Sequence, residues 1–156
     1  MPIYDQTQLE NIPPHVLGIR VESAAARITA AAVTKFTISG GNVLMTWFYG
    51  EVIVVQSNTA CTLTLTNTPT VGTATNIAAG ATDIALAAAG MCLQLPAVVG
   101  ATLTLTATAY AVPLQRGRHI LRPGVLSVTG SDTPTGSIAW YMWYLPLEPG
   151  AYVTGS

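Results

Sequence analysis

The chain has 156 residues, of which 50% are apolar and only 8% are charged, and its formal net charge is −1. This length suits one domain that buries a core without help from metals or disulfides. In a typical soluble domain about a quarter of the residues are charged, so much of this surface must be neutral, built from threonine or covered by neighbouring subunits. The composition argues against a nucleic-acid partner, because phosphate binding needs clustered Lys and Arg in excess.

The high apolar content does not amount to a membrane span. The most apolar stretch, residues 77–101, is interrupted by an aspartate, a glutamine, a proline and several glycines, whereas a spanning helix needs about 20 consecutive apolar residues. The first residues carry an acid and amides where a secretory signal would carry a basic region followed by an apolar one. We therefore expect no membrane partner, and a protein that is made in the cytoplasm and stays there until lysis or assembly.

The start of the chain differs in character from the rest. Residues 1–15 are polar, contain three prolines and show neither helical nor strand periodicity. We expect an extended N-terminal arm here, either disordered or ordered by a partner, followed by a single β-rich domain over residues 16–156. Residues 16–32 mix alternation with an alanine run, so a short helix and a strand fit equally well there.

Several later segments carry the alternation of β-strands. Residues 62–66 and 102–110 alternate threonine with leucine or alanine, which in a strand places the apolar side chains on one face and the threonines on the other. Residues 35–39 and 43–56 predict two strands joined by a hairpin turn at Gly-Gly-Asn. Gly50 predicts a bulge or a close backbone approach that splits the second of these strands.

The remaining segments complete an all-β pattern. Residues 91–95 and 125–129 predict short strands, and residues 83–89 fit a short helix or a strand. A last strand over residues 137–145 is apolar on both faces, so it is either central in a sandwich or part of a subunit interface. Many short strands between Gly, Pro and Asn turns predict an antiparallel β-sandwich or barrel of jelly-roll-like form.

The chain carries few of the groups that catalysis needs. Its two histidines, His15 and His119, belong to no metal-ligand spacing, and no phosphate-binding glycine loop or nucleophile motif occurs. Cys61 and Cys92 lie in apolar, strand-like contexts typical of buried thiols. We expect no enzyme, no cofactor and no metal site. A sheet can bring distant carboxylates together, so glycoside hydrolysis stays as a third hypothesis.

Two clusters offer candidate contact residues. The concentrated positive charge consists of Arg116, Arg118, His119 and Arg122. It is either a solvated loop or a docking patch for an acidic partner surface. The aromatic cluster of the last strand consists of Trp140, Tyr141, Trp143 and Tyr144. Alternation places Trp140, Met142 and Tyr144 on one face and Tyr141, Trp143 and Leu145 on the other. These rings either pack in a core or an interface, or form a stacking platform for sugars.

Three stretches of the chain are similar to a known family. They are FTISGGNV at residues 36–43 with the following GEV at residues 50–52, the polar connection NTPTVG at residues 67–72, and WYLPLEPGA at residues 143–151. These stretches resemble the small head decoration, or cement, proteins of tailed bacteriophages. Low charge, strands rich in Thr, Ala and Gly, and the lack of catalytic motifs are similar to the same family.

The resemblance implies a structural virion protein, an oligomer and often a trimer, that is synthesised in the host cytoplasm and binds the outer surface of a capsid. Its partner would be the major capsid protein, whose lattice it would stabilise. Expected lattice contacts of the arm are Pro2, Ile3, Tyr4, Pro13, Pro14 and His15. Expected core or subunit-interface residues are Trp140, Tyr141, Met142, Trp143 and Tyr144. The rival from another class is a carbohydrate-binding β-sandwich of a phage fibre or tail tip.

Overall fold

A computed structural model describes residues 18–80, 82–106 and 118–156, which form eleven strands and no helix. The all-β prediction is confirmed, whereas the predicted arm, residues 1–15, lies outside the described residues. Nothing in the described part of the chain is a helix long and apolar enough to cross a membrane. The strands are β1 Ile19–Ala26, β2 Val33–Ser39, β3 Val43–Val54, β4 Leu63–Pro69, β5 Thr75–Ala78, β6 Cys92–Gln94, β7 Thr104–Leu105, β8 His119–Leu121, β9 Gly124–Gly130, β10 Ser137–Pro146 and β11 Tyr152–Gly155.

The strands form two antiparallel sheets. Sheet A has the order β1-β10-β3-β6-β7, with β8 also paired to β3, and sheet B has the order β11-β2-β9-β4-β5. One shared core contains buried side chains from both sheets. Phe36 of sheet B, for example, meets Phe48 of sheet A edge to face at a centroid distance of 6.1 Å. The two sheets therefore pack as a β-sandwich.

Alternation decides which side chains enter this core. Leu63 and Leu65 of β4 are buried while the threonines beside them are half-buried, as the sequence pattern predicts. Leu103 is also buried, and Leu105 is half-buried in the short strand β7. The predicted continuation of that strand, residues 107–110, lies outside the described residues. Cys61 and Cys92 are free, buried thiols.

Trp140 lies in the core, and its ring accounts for the glycine at position 50. Its ring is fully buried and stacks on Phe48 with centroids 5.4 Å apart. A Cβ at Gly50 would lie 2.6 Å from that ring. The group that closely approaches the backbone of Gly50 is therefore the Trp140 side chain. The predicted split of the strand at Gly50 is wrong: β3 is continuous there, and its register against β10 shifts instead at Thr46 and Ile53.

Two other local predictions are corrected. The Gly-Gly-Asn turn at residues 40–42 is not a hairpin, because it links β2 of sheet B to β3 of sheet A. Residues 83–89 form turns and a bridge rather than a helix or a strand. The Asp83 carboxylate accepts hydrogen bonds from the N–H groups of Ala85 and Cys61, both at 2.9 Å. These bonds hold the pKa of Asp83 below its ordinary value and fix the turn.

Residues 19–26, where the sequence allowed either a helix or a strand, form β1, and the end of the chain joins that strand to sheet B. The backbone oxygen of Ser156 accepts bonds from Ala24 N at 2.9 Å and Ser23 Oγ at 3.1 Å. Ser156 N donates to Lys35 O at 3.1 Å. This seam closes the sandwich on the side of β1 and β11, whereas β8, β4 and β5 lie away from it.

Candidate functional site

Four aromatic rings from two neighbouring strands lie together on the outer face of sheet A. They belong to Trp47, Tyr49, Tyr141 and Trp143, and we call them the aromatic face. Trp143 pairs directly with Trp47, and Tyr141 with Tyr49. In both pairs the ring centroids are 4.9 Å apart and the planes lie within 30°. Direct cross-strand neighbours on one face of a sheet are close enough for such stacking.

Each ring of the aromatic face is in contact with at least one other ring of that face. Tyr49 also stacks on Trp143, with centroids 5.9 Å apart and planes 22° from parallel. The Arg20 guanidinium of β1 lies over Tyr141 at 5.0 Å and over Trp143 at 5.8 Å. An exposed cation–π contact of this kind contributes about 0.5–1 kcal/mol. Much of the ring-face area is therefore already used in contacts within the protein.

The charges beside the aromatic face are one ion pair and the carboxylate of Glu51, whose charge acts on Tyr49 and Tyr141. Arg20 forms an ion pair with Glu22 at 2.8 Å, and both side chains are more than half exposed. Burial is the main cause that raises the pKa of Tyr49 and of Tyr141. Their hydroxyls consequently stay protonated at neutral pH, and they can donate a hydrogen bond to a partner.

Aliphatic side chains extend the same surface. Leu44 of β3 is paired on one side with Leu145 and on the other with Ile120. Ile120 is 64% exposed, and the two leucines are half-buried. Contiguous exposed apolar surface of this kind marks contact sites on proteins. The outer face of sheet A thus offers aromatic rings flanked by aliphatic groups, one ion pair and the carboxylate of Glu51.

The aromatic residues of the last strand divide between the core and this face. Trp140, Met142 and Tyr144 are buried, and the Tyr144 hydroxyl accepts a bond from Val153 N at 3.3 Å. Tyr141 and Trp143 lie outside, half-buried. The sequence analysis did not identify Trp47 and Tyr49 as site residues. Strict alternation from the buried Val43 and Met45 would place Trp47 and Tyr49 in the core. The register shift at Thr46 places both rings on the outer face instead.

The basic cluster occupies a different place. Arg118 and Arg122 are exposed at the two ends of β8, while Arg116 lies outside the described residues. His119 is only 9% exposed, so the interpretation of this histidine as part of a solvated loop is wrong. It pairs with Met45 in sheet A, and alternation within β8 points His119 and Leu121 inward.

Beside β8 the two sheets leave a cavity of about 530 Å³. Its wall includes Asn67 of β4, Ile77 of β5 and Leu121 of β8, together with the basic residues Arg118, His119 and Arg122. Within the described ranges, the buried atoms Nε2 of His119 and Oδ1 of Asn67 have no hydrogen-bond partner. Desolvation by burial lowers the pKa of His119 below its ordinary value, so this imidazole is neutral at pH 7.

The buried neutral His119 should make stability depend on pH. Its folded pKa lies below the unfolded value of 6.5, so the unfolded chain takes up a proton first as the pH falls. The free energy of unfolding should therefore be level above that value and should decrease below it. We expect His119→Gln to flatten this decrease in urea unfolding between about pH 5.5 and 7.5.

His15→Gln is the matched control, because it removes the other histidine of the chain. Equal pH dependence in His119→Gln and the unmodified protein would contradict the assignment of the decrease to His119. If the decrease were lost in His15→Gln, it would be caused by His15 and not by His119.

Acids and thiols do not gather into a metal site in the part of the chain that the structure describes. Glu51 is paired with Cys92 between β3 and β6, whereas Asp83 bridges Thr62 beside sheet B. Burial, and secondarily the charge of Glu51, raises the pKa of the Cys92 thiol. This thiol is thus held in its protonated, weakly nucleophilic form.

We found no match to the chain among protein-family models, curated proteins or solved structures. The resemblance to head decoration proteins therefore stays a prediction from the sequence. The described residues form two candidate contact sites, the aromatic face and the cavity beside β8.

Proposed function

We propose that this chain is a structural protein of a phage virion, a head decoration protein that binds the outer surface of the capsid and stabilises its lattice. The observation that carries the proposal is the aromatic face with its aliphatic border. A sheet surface of clustered aromatic rings and aliphatic groups with few charges suits contact with another protein, because interface cores are rich in Trp and Tyr and poor in charge.

The physics of lattice binding supports this assignment. Each Å² of apolar surface removed from water contributes about 25 cal/mol, so a modest contact is enough when it is repeated over a particle. A protein that binds only the assembled lattice stabilises that state by mass action, and a homotrimer multiplies weak contacts through effective concentration. With a charge content of 8%, binding through the aromatic face should depend only weakly on salt.

Within this proposal the major capsid protein is the partner and the capsid surface is the location. Self-association into a trimer and lattice contact by Pro2–His15 belong to the same hypothesis. The proposal includes no enzymatic step and no cofactor.

The aromatic face should govern capsid binding. We expect Trp47→Ala and Trp143→Ala each to weaken binding to purified capsids about tenfold or more, since central aromatic anchors contribute 2 kcal/mol or more. The measurement is co-sedimentation of purified protein with undecorated capsids of the phage whose genome encodes it. Val71→Ala is the matched control, because Val71 is an 81% exposed apolar residue in the turn between β4 and β5.

Circular dichroism and urea unfolding establish that each variant is folded before it is compared. Light scattering of the same samples, at low and high salt, should give a mass of three chains. Unchanged capsid binding by the Trp47→Ala/Trp143→Ala double variant would refute the assignment of the face. A strict monomer that also fails to bind capsids would refute the decoration function.

A carbohydrate-binding module is the second candidate function. The half-buried rings of Tyr141 and Trp143 on an outer sheet surface favour it, because flat aromatic rings match the apolar faces of pyranoses. The mutual stacking of the four rings and the cover of Arg20 weigh against it, since a sugar needs a free ring face. Saturable binding of a purified glycan, lost in Trp143→Ala and retained in Val71→Ala, would favour this candidate over the decoration protein.

A further inference from the structure

Three aliphatic side chains form a row across sheet A, at the end of the sheet where β1 begins. Leu145 of β10 is paired with Leu44 of β3, and Leu44 is paired with Ile120 of β8. We call these three residues the aliphatic row. The two leucines are half-buried, whereas Ile120 is 64% exposed. The end of the row on β8 is therefore open to another apolar group.

The described chain begins beside this row. Gly18 directly precedes β1, and a Cβ placed on it would lie 2.9 Å from Cδ2 of Leu145. Residues 1–17, which we call the N-terminal segment, come immediately before this glycine and lie outside the described residues. Their point of attachment is thus at the Leu145 end of the aliphatic row, three strands away from β8.

The N-terminal segment has apolar residues near this attachment and is long enough to reach β8. Val16 and Leu17 directly precede Gly18, and two prolines stand before His15. Proline restricts its own backbone and that of the preceding residue to extended forms, which reduces the entropy lost when a segment is ordered. Glu10 precedes Gly18 by eight residues, a reach of up to about 26 Å. The distance from β1 to β8 is three strand spacings, about 14 Å.

The charges of the N-terminal segment and of β8 are opposite. The segment contains two acids, Asp5 and Glu10, and no lysine or arginine. Arg118 and Arg122 are exposed at the two ends of β8, and neither forms an ion pair with a described residue. Exposed ion pairs are individually weak. These charges therefore direct the segment toward β8, while apolar contact with the row supplies most of the binding.

We propose that the N-terminal segment covers the aliphatic row of its own chain. Its apolar residues pack on the row, and its two acids lie beside the arginines of β8. The occupant is the same chain rather than a second copy, because a segment attached at Gly18 has an effective concentration in the millimolar range. The inference concerns the free protein and does not rest on the proposed function. Binding of the capsid through this surface would require the segment to move off the row.

The test is limited proteolysis of the full chain after Glu10 by a glutamate-specific protease, followed by mass spectrometry. A covered segment is cut only while it is open, so the rate of cleavage reports the open fraction. Ile120→Ser should raise this rate about threefold or more, because it removes apolar contact area. Val54→Ser is the matched control, since Val54 is 55% exposed at the other end of β3. Equal rates in Ile120→Ser and the unmodified protein would overturn the proposal, provided that urea unfolding shows both to be folded.

Charge variants and dilution complete the test. Arg118→Gln and Arg122→Gln should each raise the cleavage rate about twofold, whereas Arg20→Gln, an exposed arginine already paired with Glu22, should leave it unchanged. An equal rise in Arg20→Gln would assign the effect to net charge and overturn the contact with β8. Cover by the same chain predicts a first-order rate that is independent of protein concentration. A rate that falls as the concentration rises would show that a second copy covers the row, and would overturn the assignment to the same chain.

Discussion

Replacement of Trp140 by alanine should lower the free energy of unfolding by about 3–5 kcal/mol, the range for a large buried aromatic side chain. The ring is fully buried between the sheets and stacks on Phe48. Its loss leaves a cavity that the two packed sheets cannot fill by moving together. The measurement is urea unfolding followed by far-ultraviolet circular dichroism, because tryptophan fluorescence changes with the substitution itself. An effect below about 1 kcal/mol would contradict the central position of this ring.

Gly50→Ala provides a partner for a double-mutant cycle with Trp140. Its new Cβ would lie 2.6 Å from the Trp140 ring, and overpacking of this kind costs about 1–3 kcal/mol. In the Trp140→Ala background the same change should cost less, because the ring that the methyl group would meet is gone. Additive effects would show that Gly50 is needed for a reason other than its contact with the ring.

Gly40→Ala should destabilise the protein by about 2–5 kcal/mol, from backbone strain and a steric clash together. Gly40 has a φ of +75°, and a Cβ there would lie 2.1 Å from the backbone oxygen of Gly150. This contact joins the turn between β2 and β3 to the turn between β10 and β11. The Asn42 side chain reinforces it by donating to Glu148 Oε1 at 2.6 Å.

Gly150→Ala is the matched control for Gly40→Ala. Its φ of +83° is nearly the same, but a Cβ at Gly150 would meet nothing within 4 Å. We expect this variant to lose only the cost of the left-handed conformation, about 1–2 kcal/mol. The difference between the two variants in urea unfolding isolates the contact between the turns. If the two losses were equal, backbone strain alone would account for both.

The sequence predicted those parts of the fold that depend on local alternation. Leu63 and Leu65 point into the core because a strand with threonines on its other face has one apolar side. The last strand follows the same rule, with Trp140 inside and Trp143 outside. In these strands the period of two is unbroken across the residues concerned, so the pattern transfers directly to the structure.

Features that depend on which strands pair could not be predicted. The Gly-Gly turn at residues 40–41 fits a hairpin equally well, and only the global packing sends β3 to the other sheet. The single extra residue at Thr46 reverses the face of Trp47 and Tyr49. The cavity joins β4 and β5 to β8, which starts more than forty residues further along the chain. The arginines on either side of His119 are typical of an exposed loop, so the alternation of the three-residue strand β8 could not be recognised from the sequence.

The pairing of early strands with late ones sets when the protein can fold. β1 and β3 both pair with β10, and β2 pairs with β9 and β11. The entropy of closing these long loops must be overcome before the contacts form, which places such topologies among the slow folders, in roughly milliseconds to seconds. During synthesis β1 to β3 must wait for the last third of the chain. Until then the apolar strand β3 is exposed, and lower temperature or chaperones during expression should raise the soluble yield.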